Sequence, residues 1–464
     1  MENDVTVASW APAITKAGGP LYLAIADALA SDILAGKLAT GARLPPQRTL
    51  AETLGIDFTT VSRAYAEARK RGLVEGRVGQ GTYVRTRPPV AVQSVPNGIV
   101  DMSMNLPPRF SDPGLVDRMW KGMAELKDDD GLGLLLRYQE PGGARGDREA
   151  GAVWLSPRLE GVSSDRILVC AGAQGALLAL LGTLADPGDT ICAEALTYPG
   201  FRSVAAHLRL QSVAVPMDDQ GLIPEAFEEI CIRHKPKALY CNPTLHNPTT
   251  IKLSIARRRA LVLIARQHQV PIIEDDAYGA LHISGPPPLA AFATDMVYHI
   301  AGLAKCVSPA LRVAYLVTPD ARAAARLTGA IRATASMGSP LTAAIATRWI
   351  KDGTADAVVD AIRKETRARQ AIAARILPPV FRGNAGAFHL WLELTPPWTR
   401  GEFVARLRSV GIGVVASDAF ALSEPPEAVR LGLGAPSPHE ELEQSLEIVA
   451  DLLGQYPAMS TFVV

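Results

Sequence analysis

The stretch Tyr298-His-Ile-Ala-Gly-Leu-Ala-Lys305-Cys-Val-Ser-Pro-Ala-Leu-Arg312-Val-Ala-Tyr315 decides how the rest of the chain is read. A short apolar run delivers Lys305, and Arg312 follows one loop later. Thirty residues before Lys305 stands Asp275, in Ile272-Ile-Glu-Asp275-Asp-Ala-Tyr278-Gly. Further upstream stands Asn242-Pro-Thr-Leu-His-Asn247-Pro-Thr. Taken singly these are bland: a lone lysine after an apolar run is most often a solvated strand end, and Asp-Asp is most often a helix cap. Asparagine, aspartate, tyrosine, lysine and arginine in this order make the bland reading improbable.

The set matches the needs of a pyridoxal phosphate ring. A lysine amine forms a Schiff base with the aldehyde. A carboxylate opposite the pyridine nitrogen keeps it protonated, so the ring withdraws electrons. Asparagine and tyrosine hydrogen-bond the phenolic oxygen, and arginine pairs with the phosphate.

These residues resemble the fold type I aminotransferases from about residue 99 to the C-terminus. Asp275 with Tyr278 matches the Asp-x-x-Tyr pair. Asn247-Pro-Thr matches the Asn-Pro-Thr-Gly turn, with Thr250 in place of glycine. The resemblance implies that Lys305 is the catalytic lysine and that Arg312 meets the phosphate. Gly172, Ala173 and Gln174, in Val169-Cys-Ala-Gly-Ala-Gln-Gly, look like the turn that takes the phosphate on backbone N–H groups. Tyr198 looks like the aromatic stacked on the ring, and Arg430, in Val429-Arg-Leu-Gly-Leu-Gly, like the arginine that takes a substrate or effector carboxylate. Tyr138 resembles the tyrosine lent to the neighbouring subunit's phosphate, which implies a homodimer. Gly302 and Ala304 stand where the family has hydroxyl-bearing or small polar residues, implying a weaker hold on the phosphate.

The N-terminal part is different. Leu23, Ile25, Leu29 and Ile33 recur at helical spacing. Arg43-Leu-Pro-Pro-Gln-Arg48-Thr-Leu-Ala-Glu-Thr-Leu-Gly55 reads as a short helix stopped by glycine, and Thr59-Thr-Val-Ser-Arg63 opens another. This is a helix-turn-helix pattern. Leu73-Val-Glu-Gly-Arg77-Val-Gly79-Gln80-Gly81-Thr-Tyr-Val84 reads as a two-stranded hairpin. An ordinary helical hairpin is the competing reading, but the hairpin and the Leu-Pro-Pro-Gln-Arg context resemble the winged helix-turn-helix of GntR regulators. That resemblance places Arg48, Thr59, Thr60, Ser62, Arg63, Arg77, Gly79 and Gln80 against a double-stranded DNA operator. Phe58 replaces the arginine usual before Thr-Thr-Val, implying an unusual operator. The run Arg69-Lys70-Arg71 suits a phosphate backbone, and equally a solvated helix end.

The expected architecture is an α+β winged helix-turn-helix domain (15–86), a proline-containing linker (87–98) and an α/β aminotransferase-like domain (99–464). The last has a mostly parallel sheet and a small α+β C-terminal lobe from about 378. Such a join is the arrangement of the MocR subfamily of GntR regulators. It implies a regulator that senses an amino acid, a related amine or pyridoxal phosphate itself. A working aminotransferase with an appended DNA-binding domain is the alternative, since the same residues serve both. An empty scaffold is the third.

Composition bounds the rest. The chain has 464 residues, 48% hydrophobic, with zero formal net charge, so any DNA affinity is local. Five scattered cysteines read as buried thiols of a reducing compartment. The histidines show no ligand spacing, so no metal is expected. No signal-peptide pattern and no membrane-length apolar stretch is seen, and a cytoplasmic location is expected.

Overall fold

The structure, a computed structural model, describes residues 10–12, 21–34, 37–38, 41–70, 73–77, 81–84, 100–282 and 284–455. Gly79, Gln80 and the linker at 87–98 lie outside the described residues, as does the side chain of Arg77. The chain divides into two compact units, Met1–Pro96 and Asn97–Val464.

In the first unit three helices, α1 (Leu21–Leu34), α2 (Gln47–Leu54) and α3 (Phe58–Lys70), enclose a small core. Leu29, Leu50, Val61, Tyr65 and Ala68 fill it, with Val74 and Val84 from the hairpin. Gly55 ends α2 at φ 64, a left-handed conformation that glycine enters without a Cβ penalty. Asp57 then accepts the Thr59 N–H at 2.7 Å and opens α3. The two helices therefore meet in a tight turn. The hairpin pairs Val74–Arg77 with Gly81–Val84. The sequence pattern predicts two strands, but a third stretch joins them: Leu44 N–H donates to Thr82 O at 2.8 Å, and Val84 N–H to Ala42 O at 2.8 Å.

The second unit is built on a seven-stranded sheet. Across it run Ile167–Cys170, Ala314–Val317, Val297–Gly302, Ile272–Asp275, Leu239–Cys241, Thr190–Glu194 and Gln211–Val215. Only Ala314–Val317 is antiparallel to its neighbours. The central strands are buried on both faces, which is why they read as continuous apolar runs rather than alternating ones. One face packs the helix Gly172–Leu184 through Ala176, Leu177 and Leu180. The other packs Arg145–Leu155, Pro340–Lys351 and the long helix Thr354–Ile376.

The C-terminal lobe is a four-stranded antiparallel sheet centred on His389–Glu393 and Ala428–Gly432. Phe403, Leu442 and Leu446 form its core with Leu390 and Leu431. An unanticipated strand from the start of the unit, Val100–Asp101, pairs with Ile412–Gly413. The Gly432 N–H donates to Met102 O at 2.7 Å, so residues 100–106 run along the lobe beside Arg430.

Candidate functional site

The parallel strands end at one edge of the sheet, and the loops beyond them bring the chemical groups together. Val297–Gly302 leads into the loop that bears Lys305. This side chain is half-buried, and its Nζ hydrogen-bonds the carbonyl of Asn105. Burial, with the nearby Arg430 cation, brings its amine down to about 8. An amine brought this low has an appreciable neutral fraction at neutral pH, which makes it a competent nucleophile.

Asp275 ends the neighbouring strand and is buried. Its Oδ2 accepts from the Tyr240 hydroxyl at 2.8 Å, and its carbonyl accepts from Asn242 Nδ2 at 2.8 Å. Its Oδ1 has no partner. Burial raises the carboxyl to about 6 despite these bonds. Tyr240 is itself fixed by a stack on Phe201, with centroids 4.5 Å apart and planes at 8°.

Tyr278, buried by the C-terminal lobe, accepts from Asn105 Nδ2 at 2.7 Å. Asn105 Nδ2 also lies 3.3 Å from His389 Nδ1, while His389 Nε2 lies 3.4 Å from His246 O. Burial and Arg430 drive His389 far below the ordinary histidine range, so it is neutral. A neutral ring with Nε2–H donating leaves Nδ1 to accept. The Asn105 amide thus satisfies a lone pair of the Tyr278 hydroxyl and leaves that hydroxyl's hydrogen free.

Arg430 sits in the lobe strand Ala428–Gly432. Its Nη1 donates to Asn247 Oδ1 at 2.9 Å and its Nη2 to Ser103 O at 2.6 Å, while Nε has no partner. The Phe420 ring lies under the guanidinium, 4.9 Å away. The site thus offers a buried planar cation with a free donor.

At the opposite side the helix Gly172–Leu184 points its N-terminus into the site, with Gly172 at φ 74. The Arg312 guanidinium lies 3.2 Å from where a Gly172 side chain would begin. Helix N–H groups and arginine together make an anion site. Ala173 abuts Gly302 at 3.5 Å from an ideal Cβ there. Gln174 turns aside and donates to Gly200 O at 2.9 Å. Tyr198 is half-buried, with Asp275, Arg312 and Arg430 all near enough to shift its hydroxyl. Tyr138 is 88% exposed and takes no part in the site of its own chain. Asn105, Tyr240, Asn242 and His389 were not singled out from sequence as site residues. Only Asn242 carried a linear signal, in the quoted Asn-Pro-Thr run.

In the first unit Thr59, Arg48 and Arg63 are exposed, and Thr60 and Ser62 are partly so. Arg63 stacks its guanidinium 4.2 Å from the Tyr22 ring centroid, and Arg48 lies 6.0 Å from that of Phe58. Phe58 is thus an exposed ring beside a cation, not a simple loss of one. All five cysteines are buried and free. Among the described residues no helix is long and apolar enough to cross a membrane.

Residues 97–449 match the family "Aminotransferase class I and II", and residues 21–84 match "Bacterial regulatory proteins, gntR family". The chain is 32% identical over 452 residues to the uncharacterized HTH-type transcriptional regulator YdeF of Bacillus subtilis, covering 96% of this chain and 97% of that one. It is 27% identical to the probable rhizopine catabolism regulatory protein MocR of Rhizobium meliloti, over 65% of this chain and 66% of that one. In fold the second unit resembles the kynurenine aminotransferase of Pyrococcus horikoshii, with TM-score 0.70 at 22% identity, over 77% of this chain and 91% of that one. A winged helix-turn-helix joined to an aminotransferase fold, in a chain similar along its whole length to such regulators, makes this protein a member of the MocR subfamily of GntR-type transcriptional regulators.

Proposed function

We propose that this regulator binds pyridoxal phosphate at Lys305, takes an amine effector that carries a carboxylate, and acts on operator DNA as a cytoplasmic homodimer. The observation that carries the reading is the pattern of buried polar atoms left without a partner. Asp275 Oδ1, Asn105 Oδ1, Gln174 Oε1 and Arg430 Nε are among them, all on residues of the site described above. Buried polar groups are normally satisfied, and a protonated pyridine nitrogen is the donor that Asp275 lacks. The residues present therefore fit the group.

When bound, pyridoxal phosphate supplies an electron-withdrawing ring whose aldehyde links to primary amines. Asp275, held by Tyr240, would meet the ring N–H, and Tyr278 the phenolic oxygen. Arg312 and the N-terminus of Gly172–Leu184 would hold the phosphate, and Tyr198 would line the ring's place. Arg430, oriented by Asn247 and Ser103, receives the effector carboxylate. Thr59, Thr60 and Ser62 of α3, with Arg48 and the hairpin, face the DNA.

The test is a spectral screen of amino acids against the protein loaded with pyridoxal phosphate, paired with binding to DNA from its own upstream region. An amine that shifts the spectrum is expected to change operator affinity. An amine that shifts the spectrum with no change at any operator sinks the sensing reading. Turnover of an amino acid with a 2-oxo acid at about 1–1000 per second would make the protein a working aminotransferase instead. Absence of protein-bound visible absorbance, after adding pyridoxal phosphate and removing the unbound excess, would refute cofactor binding.

A further inference from the structure

A second cavity of about 350 Å³ lies beside the Lys305 loop and outside the site described above. Ala301, Gly302 and Cys306, which flank Lys305 in sequence, form part of its wall. Trp154 and Leu155 at the end of the helix Arg145–Leu155, Leu159 in the turn beyond it, and Val359 from the long helix Thr354–Ile376 make most of the wall apolar. A volume of this size holds far more than one water, whose share of liquid is about 30 Å³. It falls in the range of small-molecule sites, roughly 300–1000 Å³.

One wall is polar. Asp276, 5% exposed, sets its Oδ2 3.4 Å from Arg158 Nε and 3.8 Å from His299 Nε2. Its Oδ1 is buried and has no partner. The neighbours cannot turn to it, because they are already committed. Arg158 donates to His282 O, Thr244 Oγ1 and Pro286 O, and His299 Nδ1 is 2.9 Å from Glu274. A buried acceptor without a donor is costly, and the Arg158 guanidinium already pairs with the other oxygen. What it lacks is a donor rather than a further cation.

We propose that this cavity is a second ligand site, for a small, mostly apolar molecule bearing one neutral N–H or O–H donor to Asp276. Its occupant lies against the residues on both sides of Lys305. The proposal does not depend on what Lys305 binds.

The probe is 5-bromoindole, added to the full chain loaded with pyridoxal phosphate. Calorimetry is expected to show one saturable site per chain. Anomalous scattering from bromine in a soaked crystal should place it between Trp154 and Val359. Val359→Trp, which fills the space, should weaken binding at least tenfold, and Asp276→Asn should weaken it severalfold. Lys305→Ala should leave the affinity unchanged, which separates this site from the cofactor site. If Val359→Trp does not fold, Asp276→Asn and the bromine position still decide. The proposal is overturned by absence of saturable binding, by bromine elsewhere, by undiminished affinity in both cavity variants, or by loss of binding in Lys305→Ala.

Discussion

Asp275 keeps one carboxylate oxygen bare while Tyr240 bonds the other, and the arrangement has a pH signature. Its folded-state pKa, raised to about 6 by burial, lies above the value of 3.8 for an unperturbed aspartate. Between those values the folded state binds more protons than the unfolded state, so stability falls as pH rises. In the cofactor-free protein this group should remove about 2 kcal/mol between pH 4 and 6. Asp275→Asn should abolish that part of the slope, as should saturating pyridoxal phosphate. Urea unfolding across this pH range checks both. Lys305 gives the complementary test. Its amine, held near 8, should capture pyridoxal phosphate with a rate that rises through about pH 8. Arg430→Gln removes a neighbouring cation and should move that midpoint upward. Lys305→Ala should eliminate the borohydride-trapped adduct while leaving the circular dichroism spectrum intact; an adduct at full yield would mean another lysine carries it.

At the level of elements, the sheet strands were legible because burial on both faces makes the inner ones short unbroken apolar runs; the edge strand Gln211–Val215 is only partly buried. The helix-turn-helix was legible because Gly55 and the polar start of α3 leave local marks. What stayed hidden depends on distance along the chain. Asn105 meets Tyr278 across 173 residues and His389 across 284. No window of sequence contains such a pair, and an asparagine before Leu-Pro-Pro reads as a turn. Tyr240 was hidden for another reason: inside a buried strand a tyrosine reads as core, and only the fold aims its hydroxyl at Asp275. The third strand of the hairpin was missed because Ala42–Leu44 lies beside prolines that argue for a loop. In α3 the buried Tyr65 hydroxyl donates to Pro45 O at 2.8 Å, tying the helix to the stretch before α2. Tyr65→Phe leaves that carbonyl unsatisfied and should cost the first unit about 1–2 kcal/mol. Faster hydrogen exchange along Phe58–Lys70 and weaker operator binding should accompany it; unchanged exchange would show the bond to be dispensable.

At the scale of the whole molecule, a single chain leaves large apolar side chains in water. Trp120 is 64% exposed, Leu136 73% and Tyr138 88%, on or just after the helix Pro113–Leu136. Exposed aromatics of this kind mark interaction surfaces. Light scattering at micromolar concentration should give the mass of two chains, and Tyr138→Ala should weaken the hold on pyridoxal phosphate without altering Lys305. A monomer with cofactor bound would contradict both the dimer and the lent tyrosine. The contact between Lys305 Nζ and the carbonyl of Asn105 has a consequence at this scale too. Asn105 stands eight residues after Asn97, where the second unit begins. The same short length of chain meets the lysine at the Asn105 carbonyl and Arg430 at the Ser103 carbonyl. Residues 100–102 stay fastened to the lobe through Val100 N–H on Gly411 O and Gly432 N–H on Met102 O, so the amine changes partners while the strand that carries Arg430 keeps its place.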